Sequence, residues 1–546
     1  MRIFLVLSFV WWFMVFLVNP VGNFPLNDDW AYGRLVKILL EEGKWRMEGP
    51  LNVPFIAQGL WGALFSVPFG FSFTALRFST LLLGWMGVLA AYGFLREIGA
   101  GRRVASVGAL AIAVNPIYFS LSHTFMTDVP FFAFAILSFF FLVRGMNRNQ
   151  FSLICAGSFL GAVATLIRQM GLVIPFSFGL GVLVKKDFRF KEAWKIAVPF
   201  LLMLGPFFLY GLWLSVTQGG YPLSYYDRIH DWFFILFQNL FDHVFFQEFF
   251  ENLWIATVYL GLFLIPFLVL KGIDSVRSRH QSLSTLLTGI LFAGMAAVTV
   301  VGKKWMPLSN NILFEGGIGP VTVKDVYVMG LEHVPTFPKV FWTIVTLLGL
   351  LGGALLVFLM VLRTCALWFG KEKRDSERWK GILCWSASFL CLLPYLPTWF
   401  HDRYLLFPLP LLMGAVVSGK VKTPPRPGRS ALLGAIILLV LWAAFSVATT
   451  HDYLSWNRAR WEALQYLTEE MKINPKEIDG GYEFNGWFGY QYRYQPQKGK
   501  SWWWIEDDRY VISLGPLPGY EEIGGYPYAR WFPFAGEGHV LILRRL

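Results

Sequence analysis

Thirteen stretches of mainly apolar residues recur along this chain, at 3–21, 74–95, 104–121, 129–144, 151–167, 171–184, 196–217, 251–270, 283–301, 340–362, 381–397, 404–418 and 430–448. A helix needs about 20 such residues to cross a bilayer, and hydrocarbon accepts only backbones whose hydrogen bonds are satisfied internally. The pattern therefore predicts a mainly α, polytopic transmembrane helical bundle. Composition agrees, because only 15% of residues are charged against about 25% in soluble domains. That is too little polar surface for a soluble globule, and 18% aromatic residues exclude a disordered chain. The first stretch follows Arg2 and ends at Asn19-Pro20 without a small-residue cleavage pattern, so it reads as a retained helix.

The net charge of +12 resolves into a topology. With the N-terminus inside, the short inner segments hold 24 of the 47 Lys and Arg residues, the longer outer loops 12, and the tail after 449 the remaining 11. Short basic loops mark the cytoplasmic side. The basic excess thus follows membrane orientation, and nucleic acid is not an expected partner. The four cysteines, Cys155, Cys365, Cys384 and Cys391, lie in or beside apolar stretches, with neither disulfide nor zinc spacing.

The resulting organisation is a membrane region, 1–448, with outer loops 22–73, 218–250 and 302–339. A small outer α/β domain follows at 449–546. In that domain helix signals cover Trp456–Met471, and strand-like runs lie near Gly481–Phe484, Tyr510–Leu514 and Val540–Leu543. The Pro-rich run Thr423–Gly428 reads as an inner linker, and the aromatic-rich 218–250 loop as an amphipathic lid on the membrane.

Chemistry should sit in the outer loops. Asn27-Asp28-Asp29-Trp30 precedes an amphipathic run, Ala31–Glu42, with Gly43 as its stop. Asn27 is expected to cap a surface helix, with Asp28 and Asp29 in its first turn, where the dipole favours carboxylates. The plain reading is helix stabilisation; the chemical one is a base at the water–lipid boundary. His123-Thr-Phe-Met-Thr127-Asp128-Val129-Pro130 enters the fourth stretch, and Thr127 or Asp128 can cap it. Its short loop holds Asp128 at the boundary too, so Asp28 and Asp128 could share a divalent cation, magnesium or manganese, or divide substrate binding. His401-Asp402-Arg403-Tyr404 carries a cation on the outer side, as do Lys303 and Lys304. These cations either anchor helix ends or bind a phosphate. Trp502-Trp503-Trp504 and Tyr482–Trp487 offer either core aromatics or a sugar-stacking platform. No Walker A, Rossmann or zinc-protease motif is present, so an enzyme of this kind must draw on an activated, lipid-soluble substrate.

In this order, the residues resemble the C-type (GT-C) glycosyltransferase superfamily, in the branch of protein O-mannosyltransferases and lipid A aminoarabinose transferases. Asp28-Asp29-Trp30-Ala31-Tyr32 is similar to the family's acidic pair and following aromatic, with Asp29 where Glu is usual. Thr127-Asp128-Val129-Pro130 and Arg403-Tyr404-Leu405-Leu406-Phe407-Pro408 resemble its later segments. The resemblance implies inverting transfer of a sugar from a polyprenyl-phosphate donor, undecaprenyl or dolichyl, to a glycan, lipid or protein acceptor. It implies Asp28 as base, Asp29 and Asp128 as site-forming acids, and Arg403 with Lys303 or Lys304 on the donor phosphate. Tyr32, His123, His401 and Tyr404 are candidate substrate contacts. The expected location is the plasma membrane of a prokaryote, with the site on the extracytoplasmic face. A transporter or flippase is the alternative, and it would require midplane charges, broken helices and a repeat.

Overall fold

The computed structural model describes residues 2–185, 192–238, 242–276, 281–368, 377–398, 400–418, 428–496 and 498–546. The Thr423–Gly428 linker, Gly428 apart, lies outside them, and so do parts of the basic segments 185–195, 271–279, 363–380 and 420–429.

Each apolar stretch is built on helix. The chain begins with α1 (Arg2–Val18), then α2 (Asp29–Glu42) and α3 (Ile56–Ser66) in the first long loop. There follow α4 (Phe73–Ile98), α5 (Arg102–Ala113), α6 (Pro116–Ser122), α7 (Asp128–Arg148), α8 (Phe151–Thr165), α9 (Val173–Leu183) and α10 (Trp194–Gln218). Next come α11 (Leu223–Gln238), α12 (His243–Val276), α13 (Gln281–Val301), α14 (Lys339–Trp368), α15 (Arg378–Leu392), α16 (Pro408–Val417), α17 (Arg429–Gln465) and α18 (Tyr482–Gly489).

Among the described residues six of these helices, α4, α7, α10, α12, α14 and α17, are long and apolar enough to cross a membrane, and the α5–α6 pair would make seven. Thirteen full crossings were expected from apolarity. Length trims that number, because α1, α8 and α9 fall short of the roughly 20 residues a crossing needs. The α5–α6 pair bends by 59°. Asn115 causes the break, its Oδ1 accepting from the Ile117 and Tyr118 N–H groups, and Pro116 opens α6. On α10, Phe208, Leu209, Leu212 and Val216 are exposed, an apolar face suited to lipid.

Between α13 and α14 lies a small hairpin, β1 (Leu313–Phe314) and β2 (Gly317–Ile318). After α17 the chain forms a four-stranded sheet from β3 (Ile478–Asp479), β4 (Tyr510–Ser513), β5 (Tyr520–Arg530) and β6 (Gly536–Arg545). Their order is β3-β4-β6-β5, parallel at β3–β4 and antiparallel elsewhere. Leu464 and Leu467, at and just beyond the end of α17, pack with Ile478, Ile512, Val540 and Ile542 of the sheet. The Tyr510–Leu514 and Val540–Leu543 expectations are met by β4 and β6. Gly481–Phe484 is not a strand: Gly481, at φ +88°, turns the chain out of β3 and opens α18.

Candidate active site

The site assembles at the end of the bundle that faces the sheet, from the starts of α2 and α7, the α8–α9 connection, the α15–α16 connection and α18.

The α2 helix begins one residue later than expected. Asn27 takes a left-handed φ of +55°, which asparagine tolerates, and Asp28 stands at the cap position with no side-chain cap bond. The Asp28 carboxylate is therefore free to face outward from the helix. Its Oδ1 accepts a 2.7 Å bond from the Tyr482 hydroxyl of α18, and its Oδ2 lies 3.7 Å from Arg403 Nη1. Gly43, at φ +67°, closes the helix as expected.

Asp29 points the other way. Its Oδ1 accepts from the Phe125 N–H at 2.7 Å and its Oδ2 from the Leu26 N–H at 3.3 Å, so it ties the first loop to the α6–α7 connection. Burial raises its pKa well above the usual carboxylate range. Its hydrogen bonds go to backbone, whereas Asp28 faces Tyr482 and Arg403.

Asp128 opens α7 without capping it through its side chain. Its Oδ1 pairs with Arg168 Nη1 at 2.5 Å, and its buried Oδ2 has no hydrogen-bond partner. Arg168 sits in extended backbone between α8 and the short 3₁₀ turn Gln169–Leu172 that leads into α9. Arg403 stands in another 3₁₀ turn, Asp402–Leu405, whose buried Asp402 accepts the Ile312 and Leu313 N–H groups. The Arg403 Nε and Nη1 groups are buried and likewise lack hydrogen-bond partners. Burial opposes charge on Arg403, but Asp128, Tyr404 and Asp28 outweigh it and leave its pKa raised. Both guanidiniums lie beside the Tyr404 ring, at 5.8 Å for Arg168 and 5.7 Å for Arg403. Tyr404 in turn stacks on Tyr395 at 4.4 Å. Asp128, Arg168, Arg403, Tyr395 and Tyr404 line one cleft.

Tyr32 lies one turn into α2, buried against Phe55 at 4.9 Å, within the fields of Asp28, Arg168, Arg403 and Asp128. His401 edges Tyr404 at 5.3 Å, and burial with Arg403 and Arg228 lowers its pKa to about 3, so the imidazole is neutral. Arg228, on α11, feels the charges of Tyr404, Arg403 and Asp28. The loop read as a lid thus contains a helix that carries a third cation to the cluster.

The structure therefore gathers Asp28, Asp128, Arg403, Tyr32, His401 and Tyr404, and sets other candidates apart. His123 is fully buried with Nδ1 on the Phe119 carbonyl at 2.8 Å, and burial lowers its pKa to about 3. Lys304 pairs with Glu251 at 2.5 Å, and Lys303 is exposed at the end of α13. The contacts that build the cluster include neither lysine. As a metal site the cluster fits poorly: Asp28 and Asp128 each face an arginine, and among the described residues no group of three or more His, Cys, Asp or Glu side chains converges.

Sequence reasoning gave no role to Arg168 or Arg228, and read Tyr482 only as part of an aromatic run, not as a partner of Asp28. Arg168 carries the signal that singled out Arg403, a lone cation between two apolar stretches. Tyr482 lies 454 residues from Asp28, and only tertiary structure joins them.

Residues 52–213 match the family described as dolichyl-phosphate-mannose-protein mannosyltransferase. That segment contains Asp128 and Arg168. No curated protein matches the chain. Among solved structures it is similar to the Saccharomyces cerevisiae protein O-mannosyltransferase Pmt1–Pmt2 complex bound to its sugar donor, at 20% identity over 41% of this chain and 34% of that one, TM-score 0.34. It is also similar to ArnT from Cupriavidus metallidurans in the apo state, at 14% identity over 99% and 97%, TM-score 0.39. A third is the oligosaccharyltransferase from Archaeoglobus fulgidus in complex with zinc and sulfate, at 14% identity over 86% and 56%, TM-score 0.47. The chain spans about a third of the yeast protein and just over half of the archaeal one. By its apolar helices and by residues 52–213, this integral membrane protein resembles the protein O-mannosyltransferase and ArnT branch of the GT-C glycosyltransferases.

Proposed function

We propose that this chain is a membrane glycosyltransferase that moves a sugar from a polyprenyl-phosphate donor to a hydroxyl-bearing acceptor, on the extracytoplasmic face. The observation that carries the reading is the unfilled bonding capacity around Arg403. Its Nε and Nη1 groups are buried without acceptors, beside Arg168 and in the cleft that Asp128 lines. Buried donors normally have partners, so such an arrangement calls for an anionic ligand that supplies them. A phosphate group fits two adjacent guanidiniums, and the family matched by residues 52–213 supports a lipid-linked phosphate sugar.

In this reading the donor phosphate lies against Arg403 and Arg168, with its polyprenyl chain toward the lipid. Asp28 receives the acceptor hydroxyl's proton as that oxygen attacks the anomeric carbon. The bond from that carbon to the phosphate oxygen breaks, and its electron pair leaves with the polyprenyl phosphate, whose charge the arginines meet. A single displacement inverts the anomeric centre. No step passes through a metal ion. Asp128 holds Arg168 in place, while Tyr32, Tyr404 and His401 wall the site. The transporter alternative asks for charges midway along helices; these charges stand at helix starts and in short turns, which suits a site at the bundle's end.

Purified protein incubated with a panel of polyprenyl-phosphate sugars and candidate acceptors should release polyprenyl phosphate and form a glycoside. Asp28→Asn should keep donor binding while transfer falls by about 100-fold or more, the range of general-base loss. Full transfer by Asp28→Asn would remove Asp28 as the base.

A further inference from the structure

A second, larger cleft lies on the opposite side of α18 from Asp28. It holds about 250 Å³ and is bounded by the first loop, α2, the end of α17 and α18. Its lining is of two kinds. One is aromatic: Phe71 and Trp487 stack at 6.0 Å with 14° between their planes, and Phe488, 46% exposed, extends the surface. The other is polar. Gln465 and Glu469 are both exposed and stand four residues apart on one helical face, with Thr468 beside them. Lys37 of α2 closes one end, its Nζ 5.6 Å from the Trp487 ring.

This two-sided lining selects a ligand class. A lipid tail would use the rings and gain nothing from the carboxylate and amide. A wholly polar ion would use the rim and leave the rings bare. A sugar ring has both faces, with C–H groups that lie on an aromatic plane and hydroxyls that need a carboxylate, amide or ammonium. The α18 helix also links the cleft to the reaction centre, since it carries Tyr482 to Asp28 and Trp487 to the cleft, five residues and about 7.5 Å further along its axis.

We infer that this cleft is a saccharide-binding subsite, in which the glycan of the acceptor lies on Trp487 and Phe71 while Gln465, Glu469 and Lys37 take its hydroxyls. The inference rests on the transferase reading and adds to it that the acceptor is a glycan or carries one.

The test is direct binding, kept apart from catalysis. Full-length protein in lipid nanodiscs is labelled and passed over a glycan microarray. The wild type and Asp28→Asn should retain the same subset of glycans. Trp487→Ala should lose that signal by about tenfold or more, the scale of a lost stacking contact with its hydrogen bonds. Glu469→Gln, a conservative change at an exposed position, guards against a misfolded Trp487→Ala and should weaken the same glycans several-fold. With a retained glycan as acceptor, Trp487→Ala should raise its KM and leave donor hydrolysis by water unchanged. Three results would each overturn the inference: no glycan retained by the wild type, equal retention by both cleft variants, or loss of retention in Asp28→Asn, which would move binding to the reaction centre. Loss of transfer chemistry in the wild type would instead sink the transferase reading and leave the binding result standing.

Discussion

At the scale of single residues, the two adjacent aspartates show what a sequence can and cannot carry. Charges at the ends of apolar runs stand out, so Asp28, Asp128 and Arg403 were legible. Direction was not: Asp28 faces the arginine and tyrosine, while Asp29 turns inward onto two backbone N–H groups. The same blindness applies to His123, which is buried against Phe119. Tyr482 donates to Asp28 from the far end of the chain and holds its carboxylate in one orientation. Tyr482→Phe should lower kcat about tenfold with little change in donor KM, the scale of one hydrogen bond to a charged group. An unchanged kcat would mean that Asp28 needs no such partner. The two buried imidazoles make a pH prediction. His123 and His401 have pKa values of about 3 in the folded protein, below the ordinary 6.5. Between these values the unfolded chain binds protons at these two sites that the folded chain does not, so their contribution to stability falls as pH drops from about 6.5 toward 3, while Asp29 and Asp402, whose pKa values burial raises, act in the opposite sense. Over that window the unfolding midpoint of the wild type in detergent should fall relative to that of His123→Gln.

Among the elements, helices were far easier to read than strands. Apolar runs located the six described helices that are long enough to cross a membrane, because burial in lipid writes itself as composition. Their ends were less visible, since turns such as those at Arg168 and Asp402 carry no strong breaker. The edge strand β5, Tyr520–Arg530, escaped notice because Gly524, Gly525 and Pro527 interrupt it and the pairing shifts between Glu522 and Gly524. Those residues are tolerated at a sheet edge or bulge and would argue against a central strand. The α7 start and the α8–α9 connection are joined by the Asp128–Arg168 pair, whose side chains are only 3% and 16% exposed. Removing one partner strands a buried charge, so Arg168→Met should destabilise by about 3–5 kcal/mol. Arg168→Met combined with Asp128→Leu should recover most of that loss in thermal unfolding. Equal losses in single and double variants would show that packing, not charge, holds this corner.

Over the whole molecule, Glu483 joins three distant parts of the chain. It accepts from the Asn27 N–H at 2.9 Å, the Thr322 hydroxyl at 2.7 Å and Arg460 Nη1 at 2.8 Å. None of this was readable, because each partner is ordinary in its own stretch and the convergence exists only in the folded chain. Glu483→Ala should cost about 3–5 kcal/mol, since it leaves Arg460 buried and unpaired. Limited proteolysis should then cut between α13 and α14 sooner than in the wild type, and an unaltered digestion pattern would count against the linkage. The α17 helix carries a further consequence. It runs unbroken from Arg429 to Gln465, 37 residues or about 55 Å, and its far end packs under the sheet. With no hinge along that length, the sheet is fixed in height above the apolar half of the same helix. Reach is thereby set by the span itself: the proposed site is held at one distance from the apolar half of the helix, and a tilt of α17 moves Tyr482 and Trp487 together.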